Sequence, residues 1–162
     1  MNQWDTVRKL ARTKRQEVDE LTQGETATEL ISAAEQLTEM KCVGLSNDDP
    51  LLYGADAVLA AVDKRIWYNK EIDPLLLSGY LIHEFAHFWI EGENYSCTEP
   101  DFEARLSEEK SPVGTDRVEN YNPRERREAM ANVFAREFLL PADRLLFWFI
   151  RENWTASQIA SH

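Results

Sequence analysis

The feature that most restricts this chain is residues 73–92, DPLLLSGYLIHEFAHFWIEG. Asp73 is a good N-cap, Pro74 suits the first helical position because its missing N–H is not needed there, and Gly92 offers a stop. Between them Leu75 to Ile90 is apolar on nearly every face of a helix. A helix of that kind is buried on most sides, so a polar residue at its centre needs a partner or a chemical task. Those residues are His83, Glu84 and His87, and they spell HExxH. Histidines four apart project from one face about a turn from each other, so both imidazoles can converge on one Zn²⁺. Glu84, one residue on from His83, points beside such an ion, where it can act as a general base toward a bound water. With three His and nineteen Glu in 162 residues, chance would give HExxH in only about half a percent of such chains.

A catalytic zinc takes three protein ligands and leaves one position to water. The remaining histidine is His162, the last residue, so the third ligand should be a carboxylate. Two compete. Glu91 continues the row along the same helix, which carries it about 6 Å farther along the axis. Glu128 is better placed, early in a second helix among Ala129, Ala131, Phe134 and Ala135, where small residues permit close packing. Asn132 lies one turn later on Glu128's face; it either orients a zinc-bound histidine from behind or points into water.

The rest of the chain reads as one succession of elements without repeats. Trp4, Val7, Leu10, Ala11, Val18 and Leu21 recur at helical spacing, predicting a helix over 4–22 that Gly24 stops. Thr26 and Glu29 stand in capping-box spacing ahead of a second helix over 28–41. Residues 42–56 read as irregular. Val58 to Val62 and Ile66 to Tyr68 are short β-prone runs flanking Asp63-Lys64-Arg65, which predicts a hairpin. Residues 93–121 are acidic and irregular, a length that suggests a lid, a binding loop or an insertion. Asn122-Pro123 opens a helix over 123–140 that Pro141 ends, an amphipathic helix over 142–153 follows, and Thr155 caps a last segment. Ending a turn or two into that helix suggests a fragment of a longer polypeptide.

A formal net charge of −11 repels phosphate backbones at long range, and the only basic face is a small one: Arg8, Lys9, Arg12, Lys14 and Arg15. Direct nucleic-acid binding is therefore not expected. No apolar run is long enough for a membrane span, and the N-terminus has no signal-peptide pattern. Cys42 and Cys97 are isolated and suggest no disulfide, so a reducing cytoplasm is the default setting.

HEFAH followed some forty residues later by EAMANVFAREFLLP resembles the ImmA/IrrE-type metallopeptidases, a group of intracellular zinc peptidases. The second motif is carried by Glu128, Ala131, Asn132, Phe134, Ala135, Leu139 and Pro141, and the resemblance spans about residues 55–145. It implies an α+β fold, a helix-rich, zincin-like half-domain with a small sheet over the HExxH helix. It also implies zinc held by His83, His87 and Glu128, with Glu84 as the base. On this reading residues 1–45 are a helical pair packing on the core, 46–153 the metallopeptidase core, and 154–162 the start of a truncated C-terminal helix. Family members look like proteases that cut helix-turn-helix repressors in stress or mobile-element responses, and some are fused to modules such as DNA helicases.

The expected reaction is peptide-bond hydrolysis of an intracellular protein. Tyr95, Tyr121 and Arg117 are candidate donors to the developing oxyanion, and the Ile66–Tyr68 strand could offer its edge to an extended substrate. Two other readings remain. One is a metal-stabilised sensor or protein-binding module of a larger protein that does not cleave; the other is a purely structural zinc closed by a fourth ligand such as Cys97 or Glu91.

Overall fold

Helix formation at the N-terminus follows from capping and spacing. The Asn2 side chain accepts the Trp4 N–H at 3.1 Å, and α1 (Gln3–Leu21) buries Val7, Ala11, Arg15 and Val18 along one face. The Thr26/Glu29 capping box forms as expected and opens α2 (Ala27–Thr38). Glu39 then turns the chain through a left-handed conformation (φ 57°), ending α2 three residues earlier than its periodicity predicts. The computed structural model describes residues 2–22, 24, 26–93, 95 and 123–160. Among these it is an α+β structure of six α-helices and one three-stranded mixed sheet.

The expected hairpin is present as β2 (Ala57–Ala60) and β3 (Arg65–Asn69), paired antiparallel, with Lys64 at φ 52° in the turn. The reading of 42–56 as irregular needs correction. A strand, β1 (Lys41–Leu45), precedes it and pairs parallel with β3, and a 3₁₀ turn follows at Pro50–Leu52. Parallel pairing is non-local, and KCVGL has one β-branched residue, so little local signal marks it. Gly44 packs closely there: a Cβ would lie 3.1 Å from the Tyr68 ring and 3.2 Å from Lys70 Cβ, so a side chain would push these neighbours by a few tenths of an ångström. The strand order β1-β3-β2 also corrects the expectation that Ile66–Tyr68 offers a free edge. That strand is central and paired on both sides, and among the described residues the edges are β1 and β2.

The apolar helix is α3 (Pro74–Glu91), capped by the Asp73 side chain on the Leu75 N–H, with Gly92 (φ 94°) at its end. β2 packs on α3, and α4 (Pro123–Leu139) packs against both α3 and α1. Ala131 and Ala135 are buried where α4 meets its neighbours, and Phe134 and Phe138 fill the space beside them. Trp89 of α3 lies 5.3 Å from the Phe134 ring and 5.6 Å from Phe138, while Phe85 stacks on Trp89 at 5.6 Å. This aromatic seam fixes α3 against α4 and thereby the polar residues carried on both.

The helix expected over 142–153 is instead α5 (Ala142–Leu146) followed by a π-helical turn at Phe147–Arg151. Its apolar residues run consecutively from Leu145 to Ile150 rather than at three- and four-residue spacing, so they form no single stripe, and Leu146, Phe147, Phe149 and Ile150 are exposed. Thr155 caps α6 (Ala156–Ala160), its N–H donating to the Gln158 side chain and its Oγ1 accepting the Gln158 N–H. No described helix is long and apolar enough to cross a membrane.

Candidate metal centre

α3 brings His83 and His87 to one face because they are four residues apart, and α4 sets Glu128 and Asn132, also four apart, opposite them. All three candidate ligands are buried, Glu128 completely. His83 Nε2 lies 3.1 Å from His87 Nε2 and 3.2 Å from Glu128 Oε2, and His87 Nε2 lies 3.3 Å from Glu128 Oε1. Ligand atoms 2.0–2.1 Å from a tetrahedral Zn²⁺ stand about 3.3 Å apart, and each of these contacts is of that size, the two imidazoles meeting different oxygens of the one carboxylate. The donor set of two imidazoles and a carboxylate also suits a borderline cation better than Ca²⁺ or Mg²⁺, which take oxygen ligands. The three residues are thus close enough together to bind a metal ion.

Behind this triangle, Asn132 Oδ1 sits 3.0 Å from His83 Nδ1. An amide oxygen accepts, so Nδ1 carries the proton and the Nε2 lone pair faces the centre. Glu84, the neighbour of His83 in the chain, is buried, and its Oε2 accepts the Leu59 N–H of β2 at 2.8 Å. That hydrogen bond ties the edge strand to the HExxH helix and fixes the Glu84 carboxylate. Spacing alone does not reveal it, because the donor is backbone and lies 25 residues away.

Tyr95 stacks on His87, with ring centroids 5.3 Å apart and 25° between planes, and the Arg127 guanidinium lies over the Tyr95 ring at 5.8 Å. Arg127 was not singled out by the sequence, where it reads as one of the surface charges of RERRE. Glu91 is exposed at the end of α3 and does not join the triangle. Cys97, Arg117, Tyr121, Asn122 and His162 lie outside the described residues. Of the basic face, Arg8 pairs with Asp5, Arg12 with Glu137, Lys14 with Glu17 and Arg15 with Asp19. No family model matches this chain, nor does any curated protein or solved structure.

Proposed function

We propose that this chain is a zinc-dependent endopeptidase whose core is a zincin-like half-domain. The observation that carries the reading is the buried cluster of His83 Nε2, His87 Nε2 and the Glu128 carboxylate, with Glu84 buried next to His83 on the same helix. A Zn²⁺ held there would supply Lewis acidity, polarising a scissile carbonyl and acidifying a water. The chain's own residues do the rest. Glu84 takes the proton of the attacking water on a carboxylate oxygen and returns it to the departing amine, its position fixed by the Leu59 N–H. Asn132 holds His83 in the tautomer that presents Nε2. The substrate class is a protein or peptide of the cytoplasm, such as a basic helix-turn-helix repressor, for which the net charge of −11 is complementary.

A second reading, a metal-stabilised binding module without turnover, draws support from the same Glu84–Leu59 hydrogen bond, because it gives Glu84 a structural task. Two measurements separate them. Metal analysis of the purified chain should give one zinc per chain, lost in His83→Ala and Glu128→Ala. Cleavage of an unfolded protein such as casein, or of a quenched peptide library, should fall by at least about 10²-fold in Glu84→Gln with zinc content unchanged. Stoichiometric zinc with no cleavage in any preparation favours the binding module.

A further inference from the structure

The two imidazoles of the centre are held by different devices. His83 is fixed through its Nδ1 by Asn132, whereas the contact made to His87 away from the other ligands is the face of Tyr95. The local chain explains how Tyr95 gets there. Gly92 (φ 94°) lets the backbone leave α3 sharply, and the Tyr95 N–H donates to Gly92 O at 3.2 Å, folding residue 95 back over the last turns of the helix. Its ring then lies nearly parallel to the imidazole, an offset-stacked arrangement that favours one ring orientation. On α4 the residue over Tyr95 is Arg127, the immediate neighbour of Glu128. The stack therefore closes a circuit from His87 on α3, through Tyr95 and Arg127, to the helix that carries the third ligand.

Building on the metal-centre reading above, we infer that Tyr95 is a positioning residue for His87, holding its imidazole in register for the ion, with Arg127 anchoring Tyr95 to α4. The flat ring is the working part. The test uses the full 162-residue chain and zinc itself, with affinity measured by competition against a chromophoric chelator and ligand geometry read from the visible spectrum of the Co²⁺-loaded protein. Tyr95→Phe keeps the ring and retains zinc affinity within about twofold. Tyr95→Ala and Tyr95→Leu remove it, weakening zinc roughly five- to tenfold and altering the Co²⁺ bands. Arg127→Met produces a smaller loss of about threefold. Melting of the metal-free proteins verifies that each variant folds. If the Ala and Leu variants bind as tightly as the parent with unchanged Co²⁺ spectra, the positioning role is overturned while the metal centre stands. A parent chain that takes up no zinc overturns both.

Discussion

At the scale of single residues, variants of Glu84 and Asn132 test reaction and metal binding separately. Gln at position 84 keeps an oxygen for the Leu59 N–H but cannot take up a proton at neutral pH, so Glu84→Gln should leave zinc content intact and lower kcat/KM by about 10²- to 10⁴-fold. Cleavage retained in that variant would remove Glu84 from the chemistry. Asn132→Ala removes the acceptor that fixes the His83 tautomer, and zinc affinity should fall by about 10- to 100-fold. Cys42 gives a prediction of another kind. Its thiol is pushed up to about 12, first by burial and then by the neighbouring Glu35 carboxylate, whose Oε1 also accepts the Cys42 N–H at 2.6 Å. The ordinary value is 9.0, so across pH 9–12 the unfolded chain releases a proton that the folded chain keeps, and the Cys42 contribution to stability declines as pH rises through that window. Because the thiolate is the reactive form, iodoacetamide at pH 8 should modify native Cys42 about two to three orders of magnitude more slowly than the urea-unfolded chain. Equal rates would place the thiol in an ordinary environment.

At the scale of elements, α1 and α4 are joined through one buried cation. Arg15 donates from Nη1 to Phe138 O at 2.8 Å and to Leu139 O at 3.2 Å, satisfying carbonyls at the end of α4 that have no partner within the helix. Its Nε donates to Asp19, which Arg144 also contacts from the start of α5. Arg15→Met keeps the apolar stem but strands both carbonyls; it should cost about 2–3 kcal/mol in urea unfolding, the lower side of a broken buried pair because Asp19 is partly solvated and retains Arg144. A loss below half a kcal/mol would show that water replaces the guanidinium. In the sequence Arg15 reads as one of five surface cations, which shows where reading by pattern stops. Elements defined by local signals were legible: the Asp73-Pro74 start of α3, the Thr26/Glu29 box, the β2–β3 hairpin and the four-residue spacings that bring His83, His87, Glu128 and Asn132 to facing stripes. Those that depend on a distant partner were not. β1 exists because β3 is there to pair with it, and the π-helical turn interrupts a run that looks helical throughout.

At the scale of the whole molecule, a metal at this centre would add one more tie between two layers that already meet through the aromatic seam and the Asn132–His83 contact. α3 carries two ligands and the sheet packs on it through β2, while α4 carries the third and packs on α1. The aromatic seam of Phe85, Trp89, Phe134 and Phe138 holds α3 to α4 beside the ligands, so the metal-free chain should fold, with the ion adding to that stability rather than creating it. An ion that binds the folded chain and not the unfolded one stabilises by mass action, about 2.7 kcal/mol at 100 times Kd and about 4.1 kcal/mol at 1,000 times. For a chain of this size each kcal/mol moves Tm by about 2–4 °C, so zinc at those excesses should raise Tm by about 5–16 °C over the chelated protein. The increment should grow with the logarithm of free zinc, persist in Glu84→Gln, and vanish in His83→Ala and Glu128→Ala, where the triangle loses a corner. Calorimetry with EDTA and with buffered zinc measures it. A Tm independent of free zinc in the parent chain would mean that the buried triangle is held by hydrogen bonds alone, and the hydrolase reading would go with it. A shift of equal size in His83→Ala would place the metal elsewhere on the acidic surface.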